Sequence, residues 1–525
     1  MRRSFLALLL VFLPVTAHAQ EQLAKLLPAN LKDVAHFGSS IAVGHGRILV
    51  SDHKGGNHQQ GRVHVFDVRT GDHLGTLQAK EPFDDDLFGL RITIGEKWLL
   101  ISSRKAAATD WNSGAVHIFD PKTWQEVAKI TSPDGNNGQY FGYHTAIDGD
   151  LALIGASKDN TLGTSAGAAY LIRISSLALV HKLFGSDTSA SDNFGIQVAL
   201  QGDRAVVSSV WNQSGTGAAY VFDSRTGQEL MKLQGSQTHP LAFFGYPIAL
   251  HGKHVLVGAY SEDDQGVDRS GAAYLFDLQS GAELRRFSSD QPTLRAAFGY
   301  GLDMNDRQAL ISIPGDMNNF TDLGRVHIYD LATGDLQDLI EPTDNAPGDL
   351  FGFPVVLHEC RVVIGSTWDD DLGSAAGSAY LFRVVGDVGE AYCGPANLNS
   401  SGQPAVISAH GCSQVGENRL TLEATALPAD RFGYFLASRT QAFRPLPPGS
   451  QGVLCLGGNI ARFARQVGST GAAGLLTLEV DLTSIPFTPP HSVVAGETWN
   501  FQAWFRDENL GATSNFTDGV AITFH

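Results

Sequence analysis

At 525 residues the chain exceeds one ordinary domain, so it divides into domains or forms a repeat array. A formal charge of −17 removes any general attraction for nucleic acid or anionic lipid, and 4 cysteines are too few for a disulfide scaffold. The 58 glycines, with only 17% charged residues, favour many short strands joined by tight turns.

The chain opens with Met1-Arg2-Arg3, an apolar run from Phe5 to Val15, and Ala17-His18-Ala19. A basic start, a short apolar core and a small-x-small ending predict a secretory signal peptide over 1–19. The run is shorter than the roughly 20 residues that cross a bilayer, and no later stretch is apolar enough, so no membrane span is expected. The mature chain then starts near Gln20 and is secreted, extracellular or held at the cell surface. In that compartment Cys360, Cys393, Cys412 and Cys455 allow one or two disulfides, with the pairing open.

A Phe-Gly pair begins at Phe37, Phe88, Phe141, Phe194, Phe244, Phe298 and Phe351, at steps of 50 to 54 residues. Each unit reads as four strands. A short apolar strand such as Ile41-Ala42-Val43 follows Phe-Gly, and a tight turn such as Asp148-Gly149-Asp150 leads to a second strand, Leu151 to Ile154, apolar enough to be buried on both faces. A longer variable loop leads to the third strand, for example Gly217-Ala218-Ala219-Tyr220-Val221-Phe222-Asp223. A turn such as Arg225-Thr226-Gly227 precedes a more polar fourth. Four strands per period of this length make a propeller blade. An apolar residue stands 11 positions before six of the Phe residues (Leu77, Ile130, Leu183, Leu233, Phe287, Ile340), and the same offset before Phe37 gives Leu26. Residues 22–27 therefore read as a fourth strand with no blade before it. The last unit, Phe351 to Phe382, lacks a fourth strand. The N-terminal strand is expected to complete it and remove an exposed edge.

This pattern resembles the FG-GAP repeat family, the propeller type also found in integrin α-chain heads. The resemblance covers residues 37–382 and implies an all-β fold, a seven-bladed β-propeller over 20–385. It implies no particular function, since one fold serves many. Beyond Gly386 the period stops. Alternating segments such as Trp499 to Asp507 and frequent turn residues predict a β-sandwich-like domain over 390–525. That part is similar to a C-terminal module attached to assorted secreted bacterial proteins.

Members of the integrin type carry an Asp-x-Asp-x-Asp-Gly calcium loop before the second strand. The turns here, such as Gln201-Gly202-Asp203 and His251-Gly252-Lys253, lack the six to eight oxygens that calcium takes. Acid clusters stand instead in the loops before the third strand: Glu262-Asp263-Asp264 with Asp268, Asp316 to Asp322, and Asp369-Asp370-Asp371. They can be read as weak calcium sites or as solvated loop carboxylates. No other cofactor is expected.

Gly163-Thr164-Ser165-Ala166-Gly167 matches the Gly-x-Ser-x-Gly nucleophile pattern but lies between two strands, without the strand-to-helix elbow that chemistry needs. His64, His117 and His327 share a third-strand position with Tyr170, Tyr220, Tyr274 and Tyr380, which calls for a flat amphipathic ring rather than a metal ligand. The Asp-x-x-Thr-Gly runs at Asp67, Asp223 and Asp330 look like part of a quinone-dehydrogenase docking motif, but the Trp that should follow is missing, and a hairpin turn explains them. Trp111, Trp211 and Trp368 all lie in the loops before the third strand. Those loops and the ones entering each Phe-Gly should share one face of the ring, where exposed aromatics recognise partners. The expected function is a secreted or cell-surface, non-catalytic binding or adhesion protein that takes an extracellular protein or glycan on that face. Two alternatives are an envelope structural protein attached through its C-terminal domain, and a hydrolase or lyase at the channel mouth, which would need convergent His, Arg or Tyr side chains there.

Overall fold

The structure, a computed structural model, describes residues 20–28, 36–103, 113–134, 138–315, 322–508 and 513–525. The signal peptide, Trp111 and most of the Asp316–Asp322 loop lie outside these residues. The chain divides into two compact units, one ending at Arg383 and the other starting at Val384.

The first unit is a seven-bladed β-propeller. It contains seven four-stranded antiparallel sheets. The third blade shows the pattern: Phe141–Asp148, Leu151–Ala156, Ala168–Arg173 and Ala178–Leu183 pair in chain order from the axis outward. Burial follows position. In Leu151–Ala156 every residue after the first is buried, as is every residue of Ala168–Arg173 except the last, because both faces lie against neighbouring blades. The outer strand exposes its start and buries its last residue, Leu183. The blade opening at Phe351 pairs Phe351–His358, Arg361–Ser366 and Ser378–Arg383 with Glu21–Leu26, the first strand of the chain. Leu26 is buried in one cluster with Phe37 and Leu381.

The Phe-Gly pairs are the joints. All seven Phe side chains are essentially inaccessible, and each contributes about 1.5–3 kcal/mol by burial. In every blade the Phe ring meets the ring at the His/Tyr position of the third strand, from Phe88–His117 at 5.2 Å to Phe298–His327 at 5.9 Å. The Phe backbone also bridges to a glycine of the preceding blade: Phe88 to Gly61, Phe194 to Gly167, and Phe37 to Gly377. A second set of joints lies at the rim. The Ser186 and Ser236 amides donate to Glu229 and Glu283 of the next outer strand at 2.7 and 2.8 Å. At the last blade the N-terminal strand takes this role, with Gln22 accepting from the Thr343 amide at 2.9 Å.

The second unit packs two sheets face to face. One holds Gly386–Asp387, Val406–Gly411, Leu420–Thr425 and Leu476–Val480; the other is centred on Phe432–Ser438 and Thr498–Asp507. Strict alternation in Leu420–Thr425 and Leu476–Val480 sends Leu422 and Leu478 inward to meet Phe435, Phe501 and the fully buried Trp499. Cys393 and Cys455 form a disulfide, and no cysteine of the chain is free.

Candidate binding face at the channel mouth

The two loop families of each blade meet on one face. The Trp211 amide donates to the Asp192 carbonyl at 3.3 Å, and the Trp368 amide to Asp349 at 3.1 Å, tying the loop before the third strand to the loop that enters Phe-Gly. The other face carries tight turns. Gly149, Gly202 and Gly252 there take φ near +58°. In the Asp-x-x-Thr-Gly turns the Asp carboxylate accepts two backbone amides, from Arg69 and Thr70 at Asp67 and from Ala332 and Thr333 at Asp330. The motif is a hairpin turn.

Each innermost strand starts at or just after Phe-Gly, so the residue following the glycine stands at the axial mouth. In four blades it is aromatic: Tyr143, Tyr246, Tyr300 and Phe353. Tyr246, Tyr300 and Phe353 join the loop aromatics in a continuous arc, whereas Tyr143 pairs with Tyr140 at 6.3 Å. Trp211 meets Phe243 at 4.9 Å, Phe243 stacks on Tyr260 at 5.7 Å, Tyr260 meets Tyr300 at 5.1 Å, and Tyr300 meets Phe353 at 4.8 Å. Beyond Phe353 a pocket of about 270 Å³ opens, walled by Tyr300, Phe353, His36 and Trp368. Trp368 stands edge-on to His36 at 5.7 Å. Beside this pocket, and sharing Ser39 and Phe353 with it, is an axial cavity of about 190 Å³ to which all seven blades contribute, with Arg91 and His144 in its wall.

Arg91 brings the charge. Its guanidinium lies 6.0 Å from the Tyr143 ring centre and donates to the Leu90 carbonyl, and among the described residues no carboxylate lies within ion-pair distance of it. Burial first, and the Arg91 charge second, push His144 down to about 3. Its Nδ1 accepts from the Val198 amide at 3.4 Å, which leaves the proton of the neutral ring on Nε2. His53, bonded to Ser39 Oγ at 2.7 Å, is likewise pushed to about 3 by burial and by His36, Lys54 and Arg91. Burial and its neighbour Tyr260 lift the Tyr300 hydroxyl to about 12. The histidines are neutral and the tyrosines protonated near neutral pH. The mouth is thus equipped to stack, donate hydrogen bonds and attract an anion. It is poorly equipped to move protons.

Of the tryptophans singled out from sequence, Trp211 and Trp368 stand at the two ends of this aromatic surface, 44% and 42% exposed. The acids have partners within the blade. Asp264 lies 2.8 Å from Arg286, Asp263 accepts from the Arg269 amide, and Asp268 lies 3.9 Å from Arg269. Asp369 accepts from Ser378 and Tyr380 and lies 2.7 Å from Lys25, which also holds Asp371 at 2.6 Å; Asp370 is exposed. Among the described residues no three His, Cys, Asp or Glu side chains are grouped to hold a metal. Residues 163–167 form a loop between strands, and Gly167 backs onto Phe194. Sequence reasoning missed Arg91, Phe243, Tyr246, Tyr260, Tyr300 and Phe353. The recurrence of an aromatic after Phe-Gly was the available signal.

A closed ring of four-stranded blades, each opened by Phe-Gly and carrying its long loops on one face, defines a repeat β-propeller. The family model described as FG-GAP repeat matches residues 124–172, 178–222, 228–276 and 336–382. These four matches support an FG-GAP repeat β-propeller, a repeat type that often serves binding or adhesion and is typically non-enzymatic. Comparison with curated proteins gives no match.

Proposed function

We propose that the protein is a secreted or cell-surface binding module that takes a glycan or protein on the loop face of its propeller, without chemical turnover. The observation that carries this is the aromatic arc from Trp211 to Phe353, which ends at the Trp368 pocket. Large rings left partly exposed around a cavity act as anchors for a partner, and Trp211 and Trp368 are the most open of them. Among the described residues no helix is long and apolar enough to cross a membrane.

Catalysis at the mouth is the second reading, favoured by the convergence of Arg91, His144, Tyr246 and Tyr300 on the axis. The titration of those groups speaks for binding. A histidine neutral down to about 3 whose Nδ1 is occupied is a weak base, and tyrosines lifted above their ordinary range are weak acids.

The test is a binding screen of the full chain against glycans and extracted surface proteins, with and without calcium, beside Trp211→Ala and Trp368→Ala. A ligand whose affinity falls more than tenfold in either folded variant supports the reading, since anchor aromatics are worth about 2 kcal/mol or more. A ligand held equally by both variants places binding elsewhere. The calcium arm tests whether the acidic loops take part.

A further inference from the structure

We infer that the mouth recognises an acidic glycan, a uronate-type pyranose whose ring stacks on the Trp368–Phe353–Tyr300 surface while Arg91 holds its carboxylate. The inference rests on the binding reading above and names its ligand class.

The first ground is charge. In a chain of net charge −17, cations of the propeller are widely engaged: Lys25, Arg62, Lys182, Lys232 and Arg286 each lie within 2.9 Å of a carboxylate. Arg91 and Lys54 differ. Neither has a carboxylate within ion-pair distance among the described residues, and both act electrostatically on His53. His36 and His53 are held below their ordinary values, so among the described residues Arg91 and Lys54 are the cations that act on this corner of the mouth. A guanidinium with no carboxylate beside it among the described residues is a seat for an anion, and its fork matches the two oxygens of a carboxylate.

The second ground is the shape and chemistry of the walls. The pocket beside Trp368 holds about 270 Å³, room for a single ring with part of its neighbour rather than for a helix or strand. Its flat rings alternate with groups that donate or accept hydrogen bonds: Ser39, His36, Thr367 and the Tyr300 hydroxyl. A pyranose has the same division, with C–H faces above and below and hydroxyls around the edge. A peptide anchor instead seeks an enclosed apolar pocket. Ser39 and Phe353 lie in both walls, so a ring in the pocket points its substituents into the cavity that Arg91 lines.

Calorimetric titration of the full chain tests this with four probe classes: galacturonate, mannuronate and glucuronate oligosaccharides, the methyl-esterified galacturonate oligomer, neutral galactose oligosaccharides, and a poly-glutamate peptide. The expected result is binding of at least one uronate series, at least tenfold weaker after esterification, and weaker at 300 mM than at 50 mM salt. Arg91→Gln should lose at least tenfold and Lys54→Gln a smaller factor, with melting temperatures confirming that both variants fold. If Arg91→Gln is unstable, esterification and salt dependence on the unaltered protein decide the matter. Absence of binding across the uronate panel overturns the inference, as does equal affinity for the ester. Tighter binding of poly-glutamate overturns it in favour of an acidic protein partner. A neutral glycan or surface protein lost in Trp368→Ala but not in Arg91→Gln overturns the acidic ligand and leaves the loop-face reading standing. Uronate binding unchanged in both variants overturns both.

Discussion

Lys25 Nζ lies 2.7 Å from Asp369 Oδ2. The first strand of the chain is thereby fixed to the loop of the last blade at a carboxylate only 3% exposed. The Tyr380 hydroxyl completes the group by donating to the same oxygen at 2.9 Å, an arrangement repeated by Lys182, Asp159 and Tyr170 in the third blade. Lys25→Met leaves Asp369 buried without its cation. Removing one partner of a buried pair costs about 3–5 kcal/mol, and urea denaturation should show a loss of that size. Burial pushes Asp369 up, but Lys25 and Ser378 outweigh it and hold the carboxyl below its ordinary value. Its stabilising contribution is therefore present above the unfolded value of about 3.9 and lost as pH falls below it. The gap between wild type and Lys25→Met should narrow below about pH 4. A gap that stays constant down to pH 2 removes this pair from the account of ring closure.

Asp303 has the opposite sign. It lies on the innermost strand Leu302–Met304 and accepts from the Leu357 amide of the next blade at 2.7 Å. Burial, only partly offset by this bond and the Met304 amide, lifts the carboxyl to about 6. A raised folded value favours folding while the group is protonated, and that contribution is lost as pH rises from about 4 through 6. Asp303→Asn keeps an acceptor for Leu357 without the ionisation. Its stability relative to wild type should rise between pH 4 and 6 and level off above. Parallel melting curves across that range would exclude Asp303 as the titrating group.

The seven blades were legible because each depends on local chemistry repeated in register. Phe37 and its six counterparts need burial, the glycine beside each permits close approach, and the apolar second strands are buried on both faces. Leu26 stands as far ahead of Phe37 as Leu77 stands ahead of Phe88, and both lie on outer strands. The mouth was less legible. Trp211 and Trp368 drew attention as large aromatics in variable loops, whereas Arg91 sits between Leu90 and Ile92 in no local motif. Tyr246, Tyr300 and Phe353 are 50 or more residues apart and become neighbours only when the blades are set around an axis. A repeat encodes its joints in every unit. The aromatic surface at the mouth draws on several units, Tyr246 and Tyr260 from one blade and Phe353 and Trp368 from another, and only the aromatic after Phe-Gly recurs as a hint of it.

Gly167 tests the joint directly. It holds φ +88°, and a Cβ there would fall 2.1 Å from the Phe194 carbonyl oxygen. Gly167→Ala should cost at least the 1–3 kcal/mol of the backbone conformation, and more because the obstructing atom is main chain. Gly149→Ala is the control, with φ +56° and nothing within 4 Å of the added carbon. It should cost about 1 kcal/mol. Equal losses by chemical denaturation would show that the blades do not depend on this contact.

Phe351 and Trp368 belong to the same blade and should separate scaffold from site. Phe351 is wholly buried, with Tyr380 at 5.5 Å and Phe382 at 6.0 Å. Truncating it opens a cavity between blades, so Phe351→Ala should lose about 3–5 kcal/mol. Trp368 is 42% exposed and covers a pocket rather than a joint. Its loss to alanine should cost about 1 kcal/mol or less, since partly exposed positions away from core contacts have little effect. Binding should rank the two the other way. For any ligand of the mouth, folded Trp368→Ala should lose more than tenfold in affinity, while the folded fraction of Phe351→Ala binds nearly as wild type. If Trp368→Ala proves as destabilising as Phe351→Ala, the ring is part of the blade core, and the aromatic arc ends at Phe353.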